Sequence, residues 1–233
     1  ADIVTALGKV VNTADANIKF ENNHTLSDLK TINNATTGAI EFKNDKLALE
    51  GITADITAAL DGVTNYKGTI TLSDAKTETI KATDITALAD KTNQTTTIKN
   101  KFKVEGTAAD VVTALGKVTN TGEANIKLTN AHDLTQLRTI NKATDGTIEF
   151  KTNTVNLKGT VTELNEALNG VTGYAGTVTI TNTDEVSESS VKSIVDSSAT
   201  GKVVIESSAM TIKGASAAMS VLMPLIGDTG SVK

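Results

Sequence analysis

The chain has 233 residues, 22 Lys and Arg against 27 Asp and Glu, and a formal net charge of −5 with the two signs interleaved throughout. Arg138 is its only arginine and aromatic residues make up 3% of it, which argues against a nucleic-acid groove of clustered cations and stacking rings. Cysteine is absent, so neither a disulfide framework nor a thiolate metal site can form, and no apolar run reaches the roughly 20 residues of a membrane-spanning helix.

Residues 1–10 (ADIVTALGKV) bring Ile3, Leu7 and Val10 to one face of a helix. Residues 16–20 (ANIKF) alternate as a strand with Ile18 and Phe20 inward, and Leu26, Leu29 and Ile32 mark the next helix. Residues 38–51 (GAIEFKNDKLALEG) form a frame of two short strands around a polar corner, Ile40 and Phe42 on one side, Leu47 and Leu49 on the other. A helix over 53–63 turns Ile56, Leu60 and Val63 inward. A strand over 68–74 (GTITLSD) and a shorter partner over 78–82 follow. The next helix covers 83–92, with Asp84 near its N-terminus, where a carboxylate meets free N–H groups and the positive dipole end. Strands around Ile98 and over 102–104 lead to a helix opening at Thr107.

At Ala109 the sequence starts over. ADVVTALGKVTNTGEANIK matches ADIVTALGKVVNTADANIK from the start of the chain, and the register holds through GTVTITN against GTITLSD. The shift is about 108 residues and roughly half of the aligned positions are identical, the mark of a tandem duplication. The strand–corner–strand frame recurs at 146–159 (Ile148, Phe150, Val155, Leu157) and at 201–214 (Val203, Ile205, Met210, Ile212). Residues 185–194 follow the pattern of 79–88. Helix starts fall near residues 1, 25, 53, 83, 107, 133, 160, 189 and 215, a spacing of about 27.

A unit of that size cannot bury its own apolar face, so it must stack on its neighbours. The expected fold is therefore an α/β solenoid, right-handed and leucine-rich-repeat-like in cross-section, of eight or nine strand–corner–strand–helix coils. At about 4.8 Å per coil it would make a rod on the order of 40 Å long. It reads as one continuous solenoid over 1–233: a first long repeat at 1–108, a second at 109–214, and a C-terminal helix, cap and polar tail at 215–233. The apolar segment 215–226, with Met210, Met219 and Met223 nearby, is expected to cap the end, since Pro224 and Gly227 terminate it. A pair of α/β domains of about 108 residues each is the competing arrangement; a Rossmann-type sheet would want longer helices and a glycine-rich phosphate turn. Ala1 begins inside a unit and no signal peptide precedes it, so the chain is expected to be part of a longer protein.

Catalytic signatures are missing: there is no GxSxG, HExxH, P-loop or GxGxxG. His24 and His132 are the only histidines, equivalent in the two long repeats, each expected as a surface or capping residue just before a helix. At about 19 Å apart along the stack they could not share a metal. Tyr66 and Tyr174 are duplicated too (VTNYKGT, VTGYAGT) and are expected to cover a helix end where the chain turns into a strand, with ligand stacking as the alternative. Asp15, Asp28, Asp45, Asp55, Asp61, Asp74 and Glu149 fall in loops or at helix starts, where capping explains most of them. Calcium is weighed at residues 182–185 (NTDE), which fit neither an EF-hand nor a GGxGxD loop. A carboxylate-pair glycosidase would present aromatics to its sugar, and the chain has few. The T-x-T strands (Thr69, Thr71; Thr177, Thr179, Thr181) raise an ice-binding array. Lys19, Glu41 and Lys43, and Lys127, Glu149 and Lys151, break it, pairing Lys19 with Glu41 and Lys127 with Glu149 across adjacent strands. No catalytic, cofactor-binding or metal-ligating residue is assigned.

Residues 106–118 (GTAADVVTALGKV) and 171–182 (VTGYAGTVTITN) resemble repeats of very large secreted or cell-surface proteins of bacteria, notably marine cyanobacteria, which carry long arrays of "GTAAD" and "GTVT" phrases. The resemblance implies a structural or adhesive, non-enzymatic segment of an extracellular protein, and the absence of cysteine fits export. Its partners would be further repeats of its own parent chain or other surface proteins. Use of one solenoid face to bind a protein or glycan is the alternative, and a carbohydrate-active enzyme a more distant one.

Overall fold

The computed structural model describes residues 2–10, 13–63 and 66–226. Among them the chain is an α/β protein of short parallel strands and nine α-helices. In chain order these are α1 (Asp2–Leu7), β1 (Ile18–Lys19), α2 (Leu26–Ala35), β2 (Ile40–Glu41), β3 (Leu49–Gly51), α3 (Thr53–Ala59), β4 (Ile70–Leu72), β5 (Thr79–Lys81), α4 (Ala82–Ala89), β6 (Thr96–Ile98), β7 (Lys103–Gly106) and α5 (Ala108–Lys117). There follow β8 (Val118–Thr119), β9 (Asn125–Leu128), α6 (Leu134–Ala143), β10 (Ile148–Phe150), β11 (Leu157–Gly159), α7 (Val161–Leu168), β12 (Val178–Ile180), β13 (Glu185–Ser187), α8 (Glu188–Ser197), β14 (Val203–Ile205), β15 (Thr211–Lys213) and α9 (Ser216–Leu222). Two compact units divide the chain, residues 1–104 with 113–124 and residues 105–112 with 125–233.

In the first unit β3, β4, β6 and β8 lie side by side, all parallel, with Leu49 opposite Ile70, Ile70 opposite Thr96 and Thr96 opposite Val118. β1 pairs with β2 separately, Ile18 opposite Ile40. Strand alternation puts Ile70, Leu72 and Ile98 inside and leaves Glu50, Thr71 and Thr97 on the other face. The helices bury residues three or four apart: Leu29 and Ile32 of α2, Ile56 and Ala59 of α3, Ile85 and Leu88 of α4. The second unit repeats this chemistry. β11, β12 and β14 are parallel neighbours, β9 pairs with β10 and β13 with β15. Leu164, Leu168, Val178, Ile180, Val191 and Ile194 lie in its buried core. Each such side chain contributes roughly 1.5–3 kcal/mol of burial.

Helix ends are closed by recurring side chains. Thr25 and Asp133, equivalent by the 108-residue shift, cap α2 and α6, and Asp133 forms a reciprocal capping box with Gln136. Thr160 does the same with Glu163 at α7. At the other end Asn33 Nδ2 donates to Ala59 O and Asp61 O at 2.8 and 2.7 Å, so α2 holds the C-terminus of α3. Asn141 does this for α7, donating to Ala167 O at 2.7 Å and Asn169 O at 2.8 Å. Gly62 and Gly170 (φ 65° and 71°) then take the left-handed backbone that ends the turn.

Helices begin within a residue of the expected positions from α2 onward, but several elements are shorter than their patterns. The helix expected over 53–63 stops at Ala59, although Leu60 and Val63 remain buried. Val10, expected on the inner face of the first helix, is 60% exposed, because α1 ends at Leu7. Its equivalent Val118 is 7% exposed because it is the first residue of β8 and pairs opposite the buried Thr96. At the C-terminal side Leu222 of α9 is fully buried and Ile226 pairs in parallel with Val203, whereas Val221 is exposed. Ala1 and the tail expected from Gly227 lie outside the described residues.

Candidate functional site

The chain concentrates its scarce rings in two places. In the first unit Phe20, His24, Phe42 and Tyr66 form one cluster, with Phe20 and Phe42 stacked at 5.8 Å between ring centroids and His24 4.9 Å from Phe42. In the second, His132, Phe150 and Tyr174 form its counterpart, with His132 5.0 Å from Phe150. These clusters hold every histidine and tyrosine of the protein and three of its four phenylalanines.

Each cluster contains the same hydrogen-bonded chain. Tyr66 Oη donates to Leu47 O at 2.8 Å, and Tyr174 Oη donates to Val155 O at 2.8 Å. A phenol has one proton, so the contacts His24 Nε2–Tyr66 Oη (2.9 Å) and His132 Nε2–Tyr174 Oη (2.8 Å) require the imidazole to donate. Both rings are therefore Nε2–H tautomers, and Nδ1 is left buried without a hydrogen-bond partner in each. Burial holds both imidazoles below the ordinary histidine pKa, against the opposing pull of Asp28 on His24 and Asp133 on His132. Burial also pushes the Tyr66 phenol up to about 12, with a further contribution from Asp45, and raises that of Tyr174.

The tyrosine–x–glycine phrase has a mechanism. A Cβ on Gly68 would fall 1.9 Å from Leu47 O, and one on Gly176 would fall 1.9 Å from Val155 O. These are the carbonyls that the tyrosines bind, so the glycine lets the acceptor approach and the tyrosine two residues earlier secures it. The histidines, expected as surface or capping residues, are therefore buried, and the tyrosines expected to cover a helix end are buried with them. His24 and His132 are 6% and 4% exposed, and Tyr66 and Tyr174 are 1% exposed. Their identity across the duplication was the available signal; a histidine directly before a helix reads equally well as a cap.

The carboxylates resolve into structural partners. Asp74 is buried, accepts the Thr53 N–H on both oxygens at 3.0 Å and the Thr53 hydroxyl at 2.6 Å, and so closes the start of α3 from the end of β4. Asn182 and Asn130 do the same for α7 and α5, accepting from Val161 N at 2.7 Å and Ala108 N at 2.9 Å. Asp28 bonds the Thr25 hydroxyl, Asp55 pairs with Lys30 and Asp45 with Lys67 at 2.6 Å. Within residues 182–185, Asn182 donates to Asp184 at 2.7 Å and Glu185 pairs with Lys213 at 3.3 Å. Among the described residues no three His, Asp or Glu side chains converge as a metal cluster.

Lys19 pairs with Glu41 at 3.1 Å; Lys127 lies opposite Glu149 and bonds Glu105 at 3.0 Å. The threonine rows have other neighbours than expected. Thr71 is flanked by Glu50 and Thr97, and Thr179 by Lys158 and Val204, because β1 and β2 pair apart from the β3 sheet. A charge still heads each row, Glu50 bonded by Lys99 and Lys158 by Glu206.

Among the described residues, two hollows stand out in the first unit. One, of about 540 Å³, has Phe42 and Tyr66 in its lining, with Asn33, Asp45 and Asp61 also on its wall. The other, of about 980 Å³, lies between α3 and α4 over Ile52, Ala54, Ala58 and Ala87. The two long repeats differ locally here. In the second unit Asn165 of α7 donates to Ser190 O of α8 at 2.9 Å, whereas the equivalent Thr57 of α3 bonds Thr53 O within its own helix at 2.8 Å. The connection from β4 to β5 is also longer, residues 73–78 against 181–184.

No family model matches the chain, and neither a curated protein nor a solved structure does. What the geometry defines is a parallel α/β protein with a duplicated, internally hydrogen-bonded aromatic core.

Proposed function

We propose that the chain is a structural or adhesive repeat segment of a secreted or cell-surface bacterial protein, folded as one right-handed α/β solenoid and without catalytic activity. The observation that carries this reading is the strand pairing inside each unit. Every parallel partner lies a short distance further along the chain, as Ile18 with Ile40, Ile70 with Thr96 and Leu157 with Val178. Between such partners the chain makes one helical excursion and returns beside itself, which is how a stack grows by local sequence alone. The titratable groups support the same role. The imidazole–phenol chain ends on a backbone carbonyl, and the carboxylates serve as caps and ion pairs, as a scaffold uses them. Outward Lys–Glu pairs such as Lys19–Glu41 suit a wall that stays in solvent. An extracellular location is supported by the likeness of residues 106–118 and 171–182 to bacterial surface repeats.

Protease shaving of intact source cells tests it. Peptides spanning residues 139–151 released before lysis are the expected result; their appearance only after lysis overturns the surface location. A second reading, a protein- or glycan-binding module, is favoured by the groove between α3 and α4. Saturable binding of a glycan or surface protein, lost on Ala58→Arg in that groove, would replace the purely mechanical role.

A further inference from the structure

We propose that His24 and His132 are acid-released latches, one in each unit, which hold the segment after Tyr66 and Tyr174 against β3 and β11 at neutral pH and let it go on acidification. Three observations carry this. The phenol's single proton is committed to Leu47 O or Val155 O, so the imidazole must donate from Nε2. The remaining nitrogen, Nδ1, is buried and has no acceptor. The tether that the imidazole supports is the one whose carbonyl approach is reserved by Gly68 or Gly176.

A second proton can enter only at Nδ1. It would place an unpaired charge among aromatic rings, and the ring must leave the cluster to reach water. The nearby rings of Phe42 and Phe150, 4.9 and 5.0 Å from the imidazoles, offer a cation–π attraction that offsets part of this. The groups facing His24 are Asp28 from α2, Tyr66, and the Asp45–Lys67 pair beside that tyrosine; β1 and β2 present Phe20 and Phe42. Those facing His132 are Asp133 and Tyr174, with Phe150 from β10, and Asn153 and Ala175 occupy the positions of Asp45 and Lys67. Both carboxylates favour the charged ring, but burial dominates in both sites. The neutral ring is therefore the native form. The unfolded or opened form takes up its proton near pH 6.5, so the latch is closed above that value and weakens as pH falls below it.

The protein reports on both latches by itself, because its two tyrosines are the latch phenols and it has no tryptophan. Tyrosine emission is followed on the whole chain from about pH 7.5 to about pH 5, for the native sequence, His24→Gln, His132→Gln and the double variant. Glutamine keeps an N–H donor and does not titrate. The native protein is expected to show a reversible emission change with a midpoint below the ordinary histidine value. Each single variant should lose part of its amplitude, and the double variant should be flat. An undiminished change in the double variant overturns the proposal, as does a flat native profile. If a glutamine variant does not fold at neutral pH, the histidine ring resonances of the native protein decide. Midpoints below the ordinary value that coincide with the emission change support the latch; ordinary midpoints, or depressed ones without an emission change, overturn it.

Discussion

Tyr66 and Gly68 act on one atom, the Leu47 carbonyl oxygen, and Tyr174 and Gly176 act on Val155 in the same way. Tyr66→Phe keeps the ring and removes the hydroxyl, leaving the His24 Nε2–H and the carbonyl unpaired in a buried site. The expected loss is about 1–3 kcal/mol of stability, read from urea unfolding. Gly176→Ala forces its Cβ against the Val155 carbonyl and the edge of the Tyr174 ring, the latter at 2.9 Å. A loss of about 1–3 kcal/mol is expected. A Gly176→Ala protein as stable as the native one would show that the carbonyl can retreat without releasing the tyrosine.

At the scale of the elements, helices of six to ten residues are too short to persist alone and depend on what closes their ends. Asp74 closes α3 from outside the helix, so Asp74→Ala leaves the Thr53 N–H and hydroxyl without their buried acceptor. About 1–3 kcal/mol should be lost, with amide exchange fastest in the first turn of α3. Asp74→Asn should recover most of that stability, since Asn182 already performs the equivalent function at α7 through one amide oxygen. Equal losses for both substitutions would mean that the carboxylate charge, and not its acceptor geometry, holds the helix.

The whole molecule should lose stability to acid in two stages. Burial lowers both histidines, so in the interval below about pH 6.5 the unfolded chain binds more protons than the native one and stability falls. Several carboxylates are lowered as well: Asp45 by the Lys67 hydrogen bond, Glu163 by the Thr160 N–H, and Glu166 by Lys142 and Arg138. Their contribution is complete above about pH 4.5 and is lost as pH falls through their native values. Urea midpoints measured across this range should step down twice. In the double His→Gln protein only the lower step should remain.

The sequence by itself determined the elements. Helix and strand periods are local consequences of which residues are apolar, so the starts of α2 to α9 and the inward residues Phe20, Ile56 and Leu60 were legible, as was the duplication. Capping was legible where donor and acceptor lie within one turn, as at Asp28, a carboxylate expected at a helix start that accepts from the Thr25 hydroxyl. The tertiary structure decided what depends on distant residues meeting. His24 and Tyr66 are 42 positions apart, and only folding turned a loop histidine and a helix-end tyrosine into a buried pair. Asp74 became a helix cap because parallel pairing carries the end of β4 beside the start of α3. Val10 and Val118 have the same local sequence yet opposite exposure, because burial belongs to the neighbours a residue acquires and not to the pattern it sits in.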